Sequence, residues 1–253
     1  MDKRLTFNED EKNYDKFRPT YCKGLFDAII DYSGLDATKK AVEIGIGTGQ
    51  ATTPILETGC SVTAIELGDR LATYSKNKFS TYDNFSIHNI SFEDYIYTPN
   101  SIDLIYSGTA FHWIPQEIGY PKVFDMLTSG GTLALFWNRP SGRKNSAHKA
   151  IQSIYKKYMP TANLVKDNQE KYNMIMDTIR KYGFIDLQFK LMHQTRSFNA
   201  EDYVSLLNTY SDHRILSSDI KESFFNEIKF AINRFGGCFK VYDTIDLYLA
   251  KKP

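Results

Sequence analysis

The sequence predicts an α/β fold with a mainly parallel sheet, and three observations predict it. Apolar runs of strand length alternate with helix-period stretches from residue 24 to residue 137. A glycine-rich turn, Gly45-Ile46-Gly47-Thr48-Gly49, stands where the first of those runs ends. Past Asn138 the rhythm changes, and helical stretches flank two closing strands. Strands separated by helices at this spacing form βαβ units, whose right-handed crossovers leave the strands parallel.

Taken in order, residues 24–33 read as a helix, with Leu25, Phe26, Ile29 and Ile30 on one face and a stop at Gly34. Residues 40–46 form a short apolar strand, 48–57 a helix ending before Gly59, and 61–67 a second strand. A helix over 70–80 and a strand over 85–90 follow. Residues 102–107 are a buried-type strand, 120–126 a helix, and the Gly130-Gly131 turn leads into a strand over 132–137. Beyond it, helices at 147–158, 169–182 and 201–208 surround a strand at 184–192. A longer helix over 219–235 precedes the last strand, 239–250, in which Tyr242, Thr244, Asp246 and Tyr248 alternate with other positions. Two closing strands joined by a helical insertion suggest a sheet edge with an antiparallel partner, the inserted helices covering the carboxyl end of the sheet. No Pro/Gly/Ser linker isolates them, so residues 1–253 are expected to form one domain.

With 42% hydrophobic and 24% charged residues the chain has the make-up of a soluble globular protein, not of a disordered or collagen-like one. No apolar run reaches the ~18 residues of a membrane span. The first residues, MDKRLTFNEDEKNYDKF, lack the apolar centre of a signal peptide, so a cytoplasmic location is expected. Cys22, Cys60 and Cys238 are odd in number, far apart and outside any C-x-x-C pair, which fits reduced thiols and neither a disulfide framework nor a zinc knuckle. The net charge of +1 conceals an imbalance: 12 basic and 18 acidic residues over 1–130, against 19 and 12 over 131–253. A basic second half can steer an anionic ligand.

The chemistry concentrates at the glycine turn. Alternate glycines let the chain turn tightly and let a ligand approach the backbone, and a helix starting there presents free N–H groups to a carboxylate or phosphate. A dinucleotide fingerprint requires G-x-G-x-x-G, but counting from Gly45 the third position is Gln50. A phosphate-binding G-x-x-x-x-G-K loop is excluded because no lysine follows. A plain tight turn would also use these glycines. Glu66, 21 residues after Gly45 and near the end of the neighbouring strand, offers a carboxylate suited to both hydroxyls of a ribose.

Glu43-x-Gly45-x-Gly47-x-Gly49, followed by a strand ending near Glu66, resembles the S-adenosylmethionine site of class I methyltransferases. The resemblance extends through Ile90-Ser91-Phe92-Glu93-Asp94, Ile102-Asp103-Leu104-Ile105-Tyr106-Ser107 and Thr128-Ser129-Gly130-Gly131-Thr132-Leu133, in the family's order across residues 40–137. Tyr14-Asp15-Lys16-Phe17-Arg18-Pro19 and Ala110-Phe111-His112-Trp113 are similar to segments of small-molecule methyltransferases of the trans-aconitate type. The resemblance implies a doubly wound, mostly parallel seven-stranded sheet of the Rossmann-like methyltransferase kind, its last strand antiparallel, with a helical lid. It divides the chain into an N-terminal cap segment (1–34), a cofactor-binding core (35–138) and lid insertions with the last two strands (139–253).

It also implies roles. Gly45, Gly47 and Gly49 would approach the methionine part of the cofactor, with Glu43 orienting the loop and the α-amino group. Glu66 would hold the ribose, and Leu67 and Phe92 would enclose the adenine, with Ser91 or Glu93 near its amino group. The family often carries Asp where Ser91 stands. Ser107 would end the strand beneath the site, and Tyr14 and Arg18 would fold over the cofactor. For the acceptor, His112 is the candidate base, since its unperturbed pKa lies near neutrality. Phe111 and Trp113 are candidate pocket walls. Arg139, Arg143 and Lys144, just past the fifth strand, with Arg214 of the later insertion, are candidates for holding a carboxylate, and His213 of that insertion is the second candidate base.

The expected partner is a small organic acceptor, a carboxylate or a hydroxyl compound, and no metal is called for. Nucleic acid is disfavoured: Ser107-Gly108-Thr109-Ala110 stands where amino-methylating DNA enzymes carry an Asn/Asp-Pro-Pro-aromatic tetrapeptide, and no basic arm is present. RNA methylation and a non-catalytic role in binding S-adenosylmethionine or S-adenosylhomocysteine are the alternatives. A nicotinamide oxidoreductase would need a glycine at position 50.

Overall fold

In the computed structural model, residues 10–141, 145–160 and 169–253 are described. Seven strands form one sheet: β1 (Lys40–Ile44), β2 (Ser61–Glu66), β3 (Phe85–Asn89), β4 (Ile102–Gly108), β5 (Leu127–Ser141), β6 (Ile185–Phe198) and β7 (Phe239–Lys251). Their order is β3-β2-β1-β4-β5-β7-β6. The first five pair in parallel, and β7 inserts antiparallel to both β5 and β6. The chain runs outward from β1 to β3 and then returns to β4 on the other side of β1. This reversal opens a crevice at the carboxyl ends of β1 and β4, where an open α/β sheet binds its ligand.

Helices connect these strands. They are α1 (Glu11–Phe17), α2 (Lys23–Ser33), α3 (Thr53–Leu56), α4 (Asp69–Lys78), α5 (Gln116–Met126), α6 (Ser146–Tyr158), α7 (Gln169–Lys181), α8 (Ala200–Leu207), α9 (Ser211–Arg214) and α10 (Ser218–Arg234). Both sheet faces are covered, as continuous apolar strands require. Ala41, Val62, Leu104, Tyr106 and Phe136 pack on one side with Leu25, Phe26 and Ile29 of α2. Val42, Ile44, Ile105, Leu133 and Leu135 pack on the other with Val123 and Met126 of α5 and Ile179 of α7. A third cluster, around Tyr155, Val204, Leu207, Phe224 and Ile228, joins α6, α8 and α10 to Phe239 and Val241 at the start of β7.

Most expected elements are present, with informative differences. The helix expected over 48–57 shrinks to the four residues of α3, because Gly45, Gly47 and Gly49 all adopt left-handed φ (71°, 60° and 80°) and hold the preceding segment in turns. Strands β5 and β6 run on to Ser141 and Phe198, each several residues past its expected end, because β7 gives both a long antiparallel partner. Helices α1 and α9 carry too little apolar periodicity to be foreseen, and α1 buries no residue at all.

Candidate active site

The glycine loop is fixed from both sides. Gly45 N–H donates to the Ile65 carbonyl (2.9 Å), and Ser75 Oγ donates to the Gly47 carbonyl (2.8 Å). A Cβ on Gly49 would lie 2.3 Å from the Phe79 ring, so glycine there serves close packing. A Cβ on Gly47 would meet nothing nearer than the Tyr14 ring at 3.5 Å, on the cavity side.

Two buried carboxylates lie under the loop. Glu66, the last residue of β2, accepts from Gly47 N–H at Oε2 (2.8 Å) and from Gly68 N–H at Oε1 (2.9 Å). Burial pushes its pKa up and these N–H donors oppose the rise. Glu43 stands opposite Tyr106 in the β1–β4 register. Its Oε2 accepts from Tyr106 OH (2.9 Å) and from Thr52 Oγ1 (2.7 Å). Burial drives Glu43 to about 7, against those two donors and with a further push from the Glu66 charge.

A cavity of about 500 Å³ opens over these groups. Of the residues expected at a cofactor site, Tyr14, Arg18, Glu43, Gly45, Gly47, Glu66, Leu67, Phe92 and Glu93 line it. Phe92 is buried with the Lys122 ammonium 5.3 Å from its ring centre, and Lys122 also donates to the Glu93 carbonyl (2.9 Å). The Arg18 guanidinium lies between the rings of Tyr14 and Tyr210 (4.8 and 4.5 Å) and donates to the Thr209 carbonyl (2.6 Å).

Gly49, Ser91 and Ser107 are placed otherwise. The Ser91 hydroxyl closes a turn, donating to Asp94 Oδ2 (2.6 Å) and accepting from Asp94 N–H (3.1 Å). Ser107 Oγ is buried and ties β4 to the Ile44 carbonyl of β1 (2.8 Å).

Among the acceptor candidates, His112 and Trp113 line the cavity, whereas Phe111 packs edge-on against Tyr120 in the core. His112 is not arranged as a base. Its Nδ1 accepts the Trp137 indole N–H (3.1 Å), so the neutral ring carries its proton on Nε2. Desolvation on the protein side, with Lys171 and Arg139 adding positive potential, lowers its pKa to about 4. At neutral pH the ring offers a donor.

The basic candidates also differ from expectation. Arg139 forms a two-pronged ion pair with the buried Asp246 (2.8 and 3.0 Å), to which Tyr248 OH also donates (3.0 Å). His213 is buried between Tyr155 OH (2.8 Å) and Asp212 (2.7 Å), and Arg214 Nε donates to the Asn208 carbonyl (2.9 Å). None of these three lines the cavity. Arg143 and Lys144 lie outside the described residues.

In their place stand side chains that sequence reasoning missed: Tyr21, Thr109, Asn138, Arg196, Tyr210 and Asp243. Alternation along β5 is the signal for one of them, since Asn138 and Pro140 line the cavity while Arg139 points to the opposite face. Asp243 interrupts the otherwise apolar row Val241, Ile245, Leu247 of β7, a second legible signal. Thr109 sits at φ +56°, a strained position for a β-branched residue that nothing in its local sequence signals. Its hydroxyl bonds to Tyr21 OH (3.1 Å) and accepts the Asn138 backbone N–H (3.2 Å).

Residues 42–135 match the model of a methyltransferase domain. The chain is 26% identical over 226 residues to an uncharacterized methyltransferase of Schizosaccharomyces pombe, spanning 88% of this chain and 85% of that one. The fold is shared with a candidate type II methyltransferase from Anaeromyxobacter dehalogenans (TM-score 0.67, 16% identity, 93% and 98% of the two chains). It is shared also with Haemonchus contortus phosphoethanolamine N-methyltransferase 2, solved with phosphomonomethylethanolamine and S-adenosylhomocysteine (TM-score 0.57, 16% identity); this chain spans 96% of its own length and 56% of that chain.

The fold and the matched domain define a class I methyltransferase with a Rossmann-like sheet. The chain is an S-adenosylmethionine-dependent methyltransferase, with S-adenosylmethionine as its cofactor. Among the described residues no helix is long and apolar enough to cross a membrane.

Proposed function

We propose that the enzyme methylates a small polar molecule whose accepting atom arrives with a free lone pair. The observation that carries this reading is the single cavity that runs from the Glu66 and Phe92 end, over Gly47, to Asn138 and Asp243. The residues suit the cofactor. Glu66, its oxygens pinned by two backbone N–H groups, keeps lone pairs for the ribose hydroxyls. Leu67, Ile90 and Phe92 give the adenine apolar walls, and Glu43 faces the cationic methionine part. The missing side chain of Gly47 leaves the cradle that the cofactor would fill.

S-adenosylmethionine supplies a methyl group on a sulfonium, which is electrophilic without further activation. The protein's part is to align the acceptor and to exclude water. Helix α1 and the α8–α9 segment, through Tyr14, Arg18 and Tyr210, form the cover implied by the family resemblance, within one domain. His112, proton on Nε2, orients an acceptor oxygen instead of removing a proton. A carboxylate meets that condition, because it needs no base.

The test is transfer of a labelled methyl group from S-adenosylmethionine into pooled small acids, phenols and amines. Incorporation into acids as the main product supports the reading. Labelling confined to RNA, or cofactor binding without turnover on any pool, would overturn it.

A further inference from the structure

Beyond the cofactor end, the cavity wall is built from the antiparallel strands β5, β6 and β7. Asp243 is the Cα partner of Pro140 across β5 and of Gln194 across β6, so Asn138, Pro140, Asp243 and Arg196 share one face of the sheet. All four line the cavity. Arg196 holds Asp243 through Nε (2.6 Å) and Nη2 (3.2 Å), and Asp243 is only 1% exposed. That grip fixes the guanidinium plane and leaves Nη1 buried without a hydrogen-bond partner. The side-chain amide of Asn138 is likewise buried, with neither Oδ1 nor Nδ2 partnered. Buried polar atoms are nearly always satisfied, and such orphans gathered at one end of a cavity mark a ligand that completes them.

The geometry points to an acceptor subsite, formed by Asn138 and Arg196 with Asp243 as the positioning residue, for a small molecule bearing a carboxylate. The proposal rests on the methyltransferase reading above and specifies its substrate class. A carboxylate offers two oxygens in one plane, one for Arg196 Nη1–H and one for Asn138 Nδ2–H. A guanidinium donor prefers an ionised acceptor to a neutral one. The groups facing Arg196 are Asp243, which offsets its charge, the Phe198 ring, Tyr203, and the Tyr210 side chain, which interacts with the guanidinium and on whose ring Arg18 stacks; Asp212 and Ser211 line the same cavity. Asn138 Oδ1 is left to accept from an O–H or N–H next to the carboxylate, so a hydroxy- or amino-acid satisfies every orphan.

The test is saturation-transfer NMR on the full chain saturated with S-adenosylhomocysteine, using benzoate, lactate and alaninate and the primary amide of each as probes. Carboxylates are expected to bind about tenfold or more tightly than their amides, the scale of a charge-assisted hydrogen bond. Asn138→Asp, which keeps shape and adds a negative charge, is expected to remove that preference while S-adenosylhomocysteine still binds. Arg196→Lys, which keeps the charge facing Asp243 but lacks a third nitrogen, is expected to weaken carboxylate binding as well. Carboxylates held no more tightly than amides, or not held at all, overturn the subsite alone, as does an unchanged preference in Asn138→Asp. Failure of S-adenosylhomocysteine to bind the unaltered protein overturns the methyltransferase reading and the subsite with it.

Discussion

Glu43 and Glu66 differ in what holds them, and the difference is testable residue by residue. Glu66 is gripped by two backbone N–H groups, so Glu66→Gln turns an amide N–H towards one of them and leaves a buried donor unmet. Cofactor affinity should fall by about 1–3 kcal/mol in a calorimetric titration. For Glu43, the folded-state pKa of about 7 lies above its ordinary 4.5, so protonation stabilises the fold. That contribution is complete below about pH 4.5 and is lost as the pH rises through 7. A cationic ligand favours the ionised form, so binding should release a proton near pH 6 and none above pH 8. Titrations in two buffers of different ionisation heat will read the release, and Glu43→Gln should abolish it.

The two glycines make a matched pair at the same scale. Gly49→Ala drives a Cβ into the Phe79 ring and should lower the melting temperature. Gly47→Ala meets only the Tyr14 ring at van der Waals distance, so beyond the ~1–2 kcal/mol of left-handed strain its effect should fall on cofactor affinity. Equal loss of affinity in both variants would contradict the assignment of Gly47 to the cavity.

At the scale of elements, the sheet was legible and its edge was not. Strands β1 to β4 are short, apolar and bounded by turns, and their residues alone indicate where they lie. The reach of β5 and β6 depends on β7, a partner distant in sequence, and that reach decides which residues meet the cavity. Choosing Arg139 over Asn138 is the resulting one-residue error, and in a strand one residue is the difference between two faces. Arg196 stands four residues past the end that its own local pattern suggests. Helix α1 is a different case. With no buried residue it is held by Glu11–Arg70 (2.9 Å), Asp15–Lys78 (2.7 Å), Tyr74 OH to Asp15 (3.0 Å) and Asn13 Nδ2 to the Ser205 carbonyl (3.0 Å). Exposed ion pairs of this kind contribute about 0–1 kcal/mol each. The segment should therefore open locally, and S-adenosylhomocysteine should slow tryptic cleavage after Lys12 and Lys16. Asp15→Asn, removing the Lys78 ion pair, should reduce that protection without moving the melting temperature measurably.

For the whole molecule, the cavity draws on three parts of the chain that are distant in sequence. The glycine loop and Glu66 belong to the parallel half of the sheet, Tyr14 and Arg18 to the N-terminal segment, and Tyr210 and Asp212 to the α8–α9 region beside the third hydrophobic cluster. A ligand seated there touches all three and binds the folded state alone, so its binding free energy adds to the stability of the whole. At a hundredfold excess over its dissociation constant that amounts to about 2.7 kcal/mol. In a chain of this length each kcal/mol raises the melting temperature by about 2–4 °C. S-adenosylmethionine and S-adenosylhomocysteine should thus each raise it by roughly 5–10 °C at that excess. Nicotinamide dinucleotide should not, because Gln50 stands where its fingerprint needs glycine. A large shift with the dinucleotide and none with the sulfonium compound would show that the loop cradles a pyrophosphate, and Glu66 would then hold a different ribose.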